Sequence, residues 1–377
     1  MLIKVFYLKT SMKFSISNFI IFCLCSSNIF AQSGTIAPKY SNEFLSIGLG
    51  ADALGMGNAF VVSSNGASSG FWNAAGLLEV NKWSEVNFMH SEYFAGIANF
   101  DHLSIAHSID ERSAASFTIV RFGVDNIPNT TQLIDNNGVI NYDNITTFNA
   151  GDYAFIGSYA RMLKEKISIG GSAKVIYRHV GDFAKSWGFG FDLGGKYHFN
   201  NNWKFGFNFR DVTSTFNAWT FNLDEQMQQV FIETGNELPE NGLELTLPKL
   251  IIGAAGTYPL GQSGFSFMGE IDMDISTDGR RNVLISTQPF SIDPHMGICI
   301  SYKNFVKIRG GINNAQFIQN LENERIFNAQ PSIGLGLALK GFYLDYAFTD
   351  IGDASIALYS HVISLRLKLD KPNNALK

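Results

Sequence analysis

The sequence predicts an all-β fold: a fourteen-stranded antiparallel transmembrane β-barrel with an N-terminal hatch, or plug, in its lumen. Three observations lead there. From Trp83 onward, apolar and polar residues alternate with a period of two, the pattern of strands with one apolar face. The connections between strands sort by parity into short turns and longer polar loops. Ahead of the strands lies a compact apolar segment, Glu43 to Leu78, in which Gly48, Gly50, Gly55, Gly57, Gly66, Gly70 and Gly76 are spread through small residues.

The alternation is clearest from Trp187 to Phe199. There Trp187, Phe189, Phe191, Leu193, Tyr197 and Phe199 share one face, and Gly188, Gly190, Asp192, Gly194, Lys196 and His198 share the other. Trp203, Phe205, Phe207 and Phe209 repeat the apolar face, as do Ile333 to Leu339 and Ile363 to Leu369. Strands are expected near 84–90, 99–109, 113–122, 152–162, 167–178, 187–199, 203–212, 248–258, 265–275, 294–302, 305–312, 331–340, 342–350 and 358–369. Most approach the length of about 9–11 residues that a tilted strand needs to cross a bilayer. Short turns fall at 110–112, 163–166, 200–202, 259–264, 303–304 and 340–341, and longer loops at 123–151, 179–186, 213–247, 276–293, 313–330 and 351–357. Short periplasmic turns alternating with longer outer loops are the pattern of an outer-membrane barrel, and this places both termini in the periplasm. A soluble β-sandwich has no reason to sort its loops this way, and its outward faces would be polar.

Composition agrees. Charged residues make up only 16% of the chain while Gly (36) and Phe (33) are abundant, which disfavours disorder and suits strands with aromatic faces. The net charge of −5 comes with no basic patch, so nucleic acid is not an expected partner. The N-terminus reads as an export signal over 1–31: Lys4, Lys9 and Lys13 supply positive charge, Phe19 to Cys25 an apolar core, and Ala31 a cleavage position before Gln32. Met12 to Ala31 is a complete signal by itself. Residues 32–82 then form an N-terminal extension and hatch, and 83–377 the barrel with a short periplasmic tail. Beyond the signal no apolar run reaches the roughly 18 residues of a membrane helix, and only one cysteine, Cys299, remains.

A barrel of fourteen strands encloses space, whereas smaller ones fill their interior with side chains. The inward faces are rich in glycine (Gly188, Gly190, Gly194, Gly206, Gly253, Gly297, Gly334, Gly336), which leaves room for contents. The segment 43–80 is the one long piece available to fill it. Its candidate packing residues are Phe44, Leu45, Gly48, Gly55, Met56, Gly57, Trp72, Asn73 and Gly76. The lumen-facing polar residues include Asp192, Lys196, Arg210, Glu270, Arg309 and Arg366, with Lys174, Arg178, Asp272, Lys307 and Lys368 beside them. Both signs are present, so they either pair across the wall and with the hatch or line a polar permeation path.

Phe44-Leu45-Ser46-Ile47-Gly48, Ala53-Leu54-Gly55-Met56-Gly57-Asn58-Ala59 and Phe71-Trp72-Asn73-Ala74-Ala75-Gly76-Leu77 together resemble the N-terminal signature of the PorV/PorQ family. Those are outer-membrane proteins of the Bacteroidetes type IX secretion system. They are similar in turn to FadL-like barrels, which have fourteen strands and a hatch with a related Asn-Pro-Ala element. The resemblance implies a role in protein export through contacts with a translocon barrel or secreted cargo. The alternative it implies is a FadL-like, hatch-gated channel for a hydrophobic ligand. Asp52 stands where the family has Arg, Asn58 where it has Gly and Ala74 where it has Pro; these departures fit a paralogue, and the last loosens the turn after Asn73.

No motif of an enzyme, metal or cofactor site is found in the sequence. His198 and His295 read as polar wall residues. Asp272, Asp274 and Asp278-Gly279 have alternate carboxylates that suit calcium, but they miss the EF-hand spacing and read as a solvated strand end. In the longest loop, Leu223, Met227, Val230 and Phe231 fall at helical spacing, so an amphipathic helix there either caps the barrel mouth or binds a partner.

Overall fold

The computed structural model describes residues 41–370 apart from 81–82, 135–137, 320–321 and 350–359. The export signal at 1–31, the loop at 351–357 and the tail from 371 lie outside the described residues.

The wall is one closed antiparallel sheet. Its strands in chain order are β1 (Ser84–Tyr93), β2 (Ala98–Asp110), β3 (Ser113–Asn129), β4 (Thr146–Lys164), β5 (Ile167–Val180), β6 (Ala184–His198), β7 (Trp203–Arg210), β8 (Thr215–Phe221), β9 (Gly242–Thr246), β10 (Lys249–Leu260), β11 (Phe265–Ser276), β12 (Ile285–Ser286), β13 (Ser291–Tyr302), β14 (Val306–Gln319), β15 (Arg325–Leu339), β16 (Phe342–Thr349) and β17 (Ser360–Leu369). Strand β1 pairs with β17 from Ser84↔Leu369 to Glu92↔His361, which closes the ring.

Seventeen strands make fourteen staves. β12 is a two-residue piece within a loop. β8 continues β7, because β6 pairs with β7 through its second half and with β8 through its first. β9 likewise continues down into β10. Both continuations are broken at the same height. On one stave Asp211 and Ser214 take positive φ values of 54° and 56°. On the neighbour the ladder skips Leu247 and Pro248, and proline has no N–H to offer it. Inside the break Lys174 Nζ lies 2.9 Å from Asp192 and 2.7 Å from Asp211, while Thr215 donates to Asp211.

The expected loop at 213–247 is therefore mostly strand. The residues between β8 and β9 are only 222–241, and they hold the anticipated helix α3 (Glu225–Glu233), capped by Asp224, which accepts from Met227 N at 2.7 Å. The loops near 123–151, 179–186 and 313–330 also shrink, because β3 to β6, β14 and β15 run past their expected ends. The period-2 signal fades there for a physical reason: once both faces meet water, polar residues such as Asp125, Asn126, Asn149 and Gln319 stand in the strands, yet the backbone ladder continues.

The outward faces are apolar throughout the mid-wall; Phe191, Leu193 and Leu335 are each about half exposed. Aromatic residues flank that band at both ends. Trp203 and Tyr258 meet edge-on and Phe265 lies against Tyr302 near the short turns, while Tyr153, Tyr177, His179 and Trp187 stack near the loops. Such girdles mark the two interfaces of a transmembrane barrel.

Residues 41–80 fill the lumen. They contain two short helices, α1 (Ala51–Leu54) and α2 (Ser69–Trp72), and 3-10 turns at Glu43–Leu45 and Ala74–Glu79. The segment starts beside Asn217 and Thr246, and it leaves into β1 at the short-turn end. Leu49, Met56, Phe60 and Trp72 are buried against Met89, Phe100, Ile156 and Ile176 of the wall, each side chain worth roughly 1.5–3 kcal/mol of burial.

Close approach depends on missing side chains. A Cβ at Gly57 (φ 62°) would stand 2.5 Å from Ile312 N, and one at Gly170 would stand 2.6 Å from the Ala74 carbonyl carbon. Gly170→Leu is therefore expected to leave the barrel assembled but to speed amide hydrogen exchange across 70–78 at least tenfold. Gly157→Leu, facing outward with nothing near it, is expected to change neither; exchange measured by mass spectrometry on the folded barrel checks both.

Candidate functional site

The packed segment is a buried stretch of backbone whose tight turns bond to themselves, as Gly55 N does to Ala51 O and Asn73 N to Ser69 O, so the wall must supply partners for the N–H and C=O groups that the turns leave over. It does so with acidic side chains. Asp272 Oδ2 accepts from Phe60 N at 2.7 Å and Val61 N at 2.8 Å. Two residues along the same strand face, Glu270 accepts from Val62 N at 2.7 Å and Ser63 N at 3.1 Å. Four consecutive amides are thus held by two carboxylates on β11. Glu85 takes Ala67 N at 2.8 Å. Neutral groups and one lysine do the rest: Ser364 accepts from Ala51 N, Ser158 and Ser172 donate to Gly70 O, Asn208 donates to Trp72 O, and Lys196 donates to Ser64 O. His295 Nδ1 lies 3.1 Å from Gly57 O.

Asp272 corrects one expectation. Its carboxylate is buried, so it is no solvated strand end. Asp278 pairs instead with Arg281, and no metal-binding group of His, Cys, Asp and Glu occurs among the described residues.

The candidate packing residues fall as follows. Phe44 and Leu45 are buried in the 3-10 turn at the start. Trp72 donates from Nε1 to Leu49 O at 2.7 Å and meets Phe60 and Phe71 edge-on. Arg210 lies 4.6 Å over the Phe71 ring. Asn73 donates to Val61 O at 2.9 Å and Gly195 O at 3.2 Å, and its Oδ1 accepts from Ala75 N. That last bond caps the 3-10 turn, so Asn73 itself fixes the turn that Ala74 leaves without a proline. Gly48, Gly55, Gly57 and Gly76 each face a group that a Cβ would strike, and Met56 packs on Gly297. Sequence reasoning missed Gly170 and Gly311 as contact points; both sit at inward positions of the alternation, which was the signal available.

The polar residues pair, for the most part. Arg366 reaches Asp52 at 2.6 Å and Asn65 at 2.6 Å, and its Nε lies 3.7 Å from Glu85. Arg309 holds Asp345 at 2.8 Å and Lys196 lies 3.5 Å from Glu79. Burial opposes ionisation of Asp52, but Arg366, then Arg309 and Lys307, hold its carboxyl below the usual range. Glu79 is lowered in the same way, burial being outweighed by Lys196 and Lys204.

Three cavities surround this arrangement. An apolar cleft of about 900 Å3 lies at the loop end under α3, where Phe148, Phe183, Trp219, Phe221, Met227 and Phe231 face one another. At its base Trp219 Nε1 donates to Glu244 at 2.7 Å, with Arg178 stacked 5.0 Å over the indole and bound to Asp152. Inside the lumen on the same side is a polar cavity of about 620 Å3, bordered by Leu54 and Asn58. On the short-turn side lies a third of about 180 Å3, bordered by Asp52, Met56, Phe60 and Ser63. Residues 52–63 therefore lie between these last two cavities as a partition.

A fourteen-stave ring with an internal partition and an apolar outer cleft can be compared with solved structures. The monoaromatic hydrocarbon channel CymD superposes with a TM-score of 0.54 over 86% of this chain and 98% of its own, at 13% identity. The toluene transporter TodX of P. putida gives 0.50 over 86% and 99%, also at 13% identity. A Pseudomonas aeruginosa FadL homologue gives 0.47 at 11% identity, over 89% and 99%. The fold is shared with CymD and TodX. No family model matches the sequence, and no curated protein matches it. At this identity the likeness to these channels is one of architecture.

Asp272→Ala together with Glu270→Gln is expected to raise amide exchange at 60–63 by at least tenfold while leaving the staves protected. The pH dependence follows from Asp52 and Glu79. Their lowered values mean that their contribution to holding 43–80 is complete above about pH 4, the unfolded carboxylate value, and is lost only as pH falls through the lower folded values. Protection factors at 50–56 and 76–80, which remove the intrinsic pH dependence of exchange, should stay flat from about pH 8 until the acid end, and Asp52→Asn should flatten the last fall at 50–56.

Proposed function

We propose that this chain is an outer-membrane channel for hydrophobic small molecules, with the cleft under α3 as its loading site and residues 52–63 as the hatch that must shift for passage. The observation that carries the reading is the cleft itself. It is large enough for a small organic ligand, lined mainly by aromatic and apolar side chains, and placed at the loop end above a blocked lumen. The alternating apolar outer band and its two aromatic girdles support an outer-membrane location. The architectural neighbours are named as hydrocarbon and toluene channels, which supports transport and a non-enzymatic role.

The protein-export reading through a type IX partner or cargo rests on the 44–77 signature. In the structure Phe44, Trp72 and Asn73 pack into the wall as any hatch requires, so that signature does not separate export from transport, and the cleft favours transport.

A disulfide tests whether the hatch must move. A Cβ at Gly206 would lie 3.3 Å from Val62 Cα, so Val62→Cys with Gly206→Cys, in a Cys299→Ser background, places two thiols within bonding reach. Uptake of a radiolabelled monoaromatic compound by cells or proteoliposomes should fall at least tenfold when this pair is oxidised and recover with reductant. Trp219→Ala should weaken binding of the same compound without loosening the hatch. Uptake indifferent to both changes would sink the channel reading.

A further inference from the structure

The cavity beneath the hatch on the short-turn side carries a charge imbalance. Five ionised side chains line it: Asp52 and Asp345 against Lys307, Arg309 and Arg366. The two guanidinium groups each have their own carboxylate, Arg366 with Asp52 at 2.6 Å and Arg309 with Asp345 at 2.8 Å. Lys307 is left over. Among the described residues it is the one inward-facing lysine or arginine with neither an ion pair nor a hydrogen bond. Lys174, Arg178, Lys196, Lys204, Lys249 and Lys368 each have a carboxylate within 4.0 Å, and Arg210 is stacked and bonded to carbonyls.

The surroundings of Lys307 suit an anion. Ser301, Ser266 and Thr257 supply hydroxyls and Tyr343 a phenol from the wall, and Ser63 adds a hydroxyl from the hatch. A half-buried ammonium with no carboxylate in contact is costly, and hydrogen bonds from a cation to an oxyanion are roughly twice as strong as neutral ones. The volume of about 180 Å3 fits a carboxylate or phosphate group and excludes a macromolecule.

We propose that this cavity is an oxyanion-binding site, with the Lys307 ammonium as its charge and the neighbouring hydroxyls as its further donors. The oxyanion is either a free small anion of the periplasm or the head group of an anionic amphiphile, and the chemistry of recognition is the same. The site can be measured at equilibrium on the isolated barrel, so its fate is separate from that of the channel reading.

Calorimetric titration of the full barrel in neutral detergent, with acetate, inorganic phosphate, dodecanoate and dodecanol, tests it. Saturable binding that weakens with salt and falls about tenfold or more in Lys307→Gln is expected. Lys307→Arg should retain binding, and Lys303→Gln on the adjoining turn should be silent. Binding of acetate or phosphate assigns the site to free anions. Binding of dodecanoate alone assigns it to an amphiphile head group. Cys299 lines the same cavity, so the bound anion should also slow alkylation of that thiol in the unmutated protein, which keeps the test independent of any variant's folding. Dodecanol binding as tightly as dodecanoate, equal binding by Lys307→Gln, or no binding and no protection of Cys299 would each overturn the proposal.

Discussion

Everything inside this barrel follows from the bonds between two wall carboxylates and four successive backbone amides. A closed sheet satisfies its own ladder, but a segment packed through its middle brings peptide groups into a space with little water. The chain meets that demand with Asp272 and Glu270, whose oxygens take the amides of 60–63. Neither carboxylate makes a salt bridge among the described residues. Their oxygens are held by hatch amides, so the hatch and the wall each need the other to be in place.

This arrangement divides labour between polar and apolar groups. Leu49, Met56, Phe60 and Trp72 give the segment its affinity for the wall, while the hydrogen bonds fix its register. A shift of one residue along β11 would leave amides and carboxylates unpaired at a cost of about 1–3 kcal/mol each. The apolar contacts would survive such a shift with far less penalty. The inward glycines serve the same fit, because backbone lies directly against backbone where a side chain is missing, as between Gly55 and Gly334.

The barrel was legible in the sequence because its outward face must be apolar and successive strand residues point to opposite faces. Fourteen staves, the parity of their turns and the occupancy of the lumen all come from that one constraint. The strand ends were not legible, since Asp125 or Asn149 in a solvated ladder reads like loop. The grip on the hatch was hidden more deeply. Asp272 sits at an inward position, but nothing local says that a row of amides waits across the lumen, so it looked like a solvated strand end. Asn73 was visible as part of a motif, whereas its role as the cap that compensates for Ala74 needed coordinates. The match between Arg366 and Asp52, more than 300 positions apart, is beyond any local pattern.

The paired interruptions at 211–214 and 247–248 have a mechanical meaning. They lie side by side, so that β8, β9 and α3 join the lower ring on this flank through broken ladders, held instead by Lys174 and its two aspartates. Only two adjacent staves are cut there, and β6 runs unbroken beside them from Ala184 to His198, pairing with β8 above the seam and β7 below it. The rim on this flank is thus hung from the lower ring by one intact neighbour and a buried ion pair.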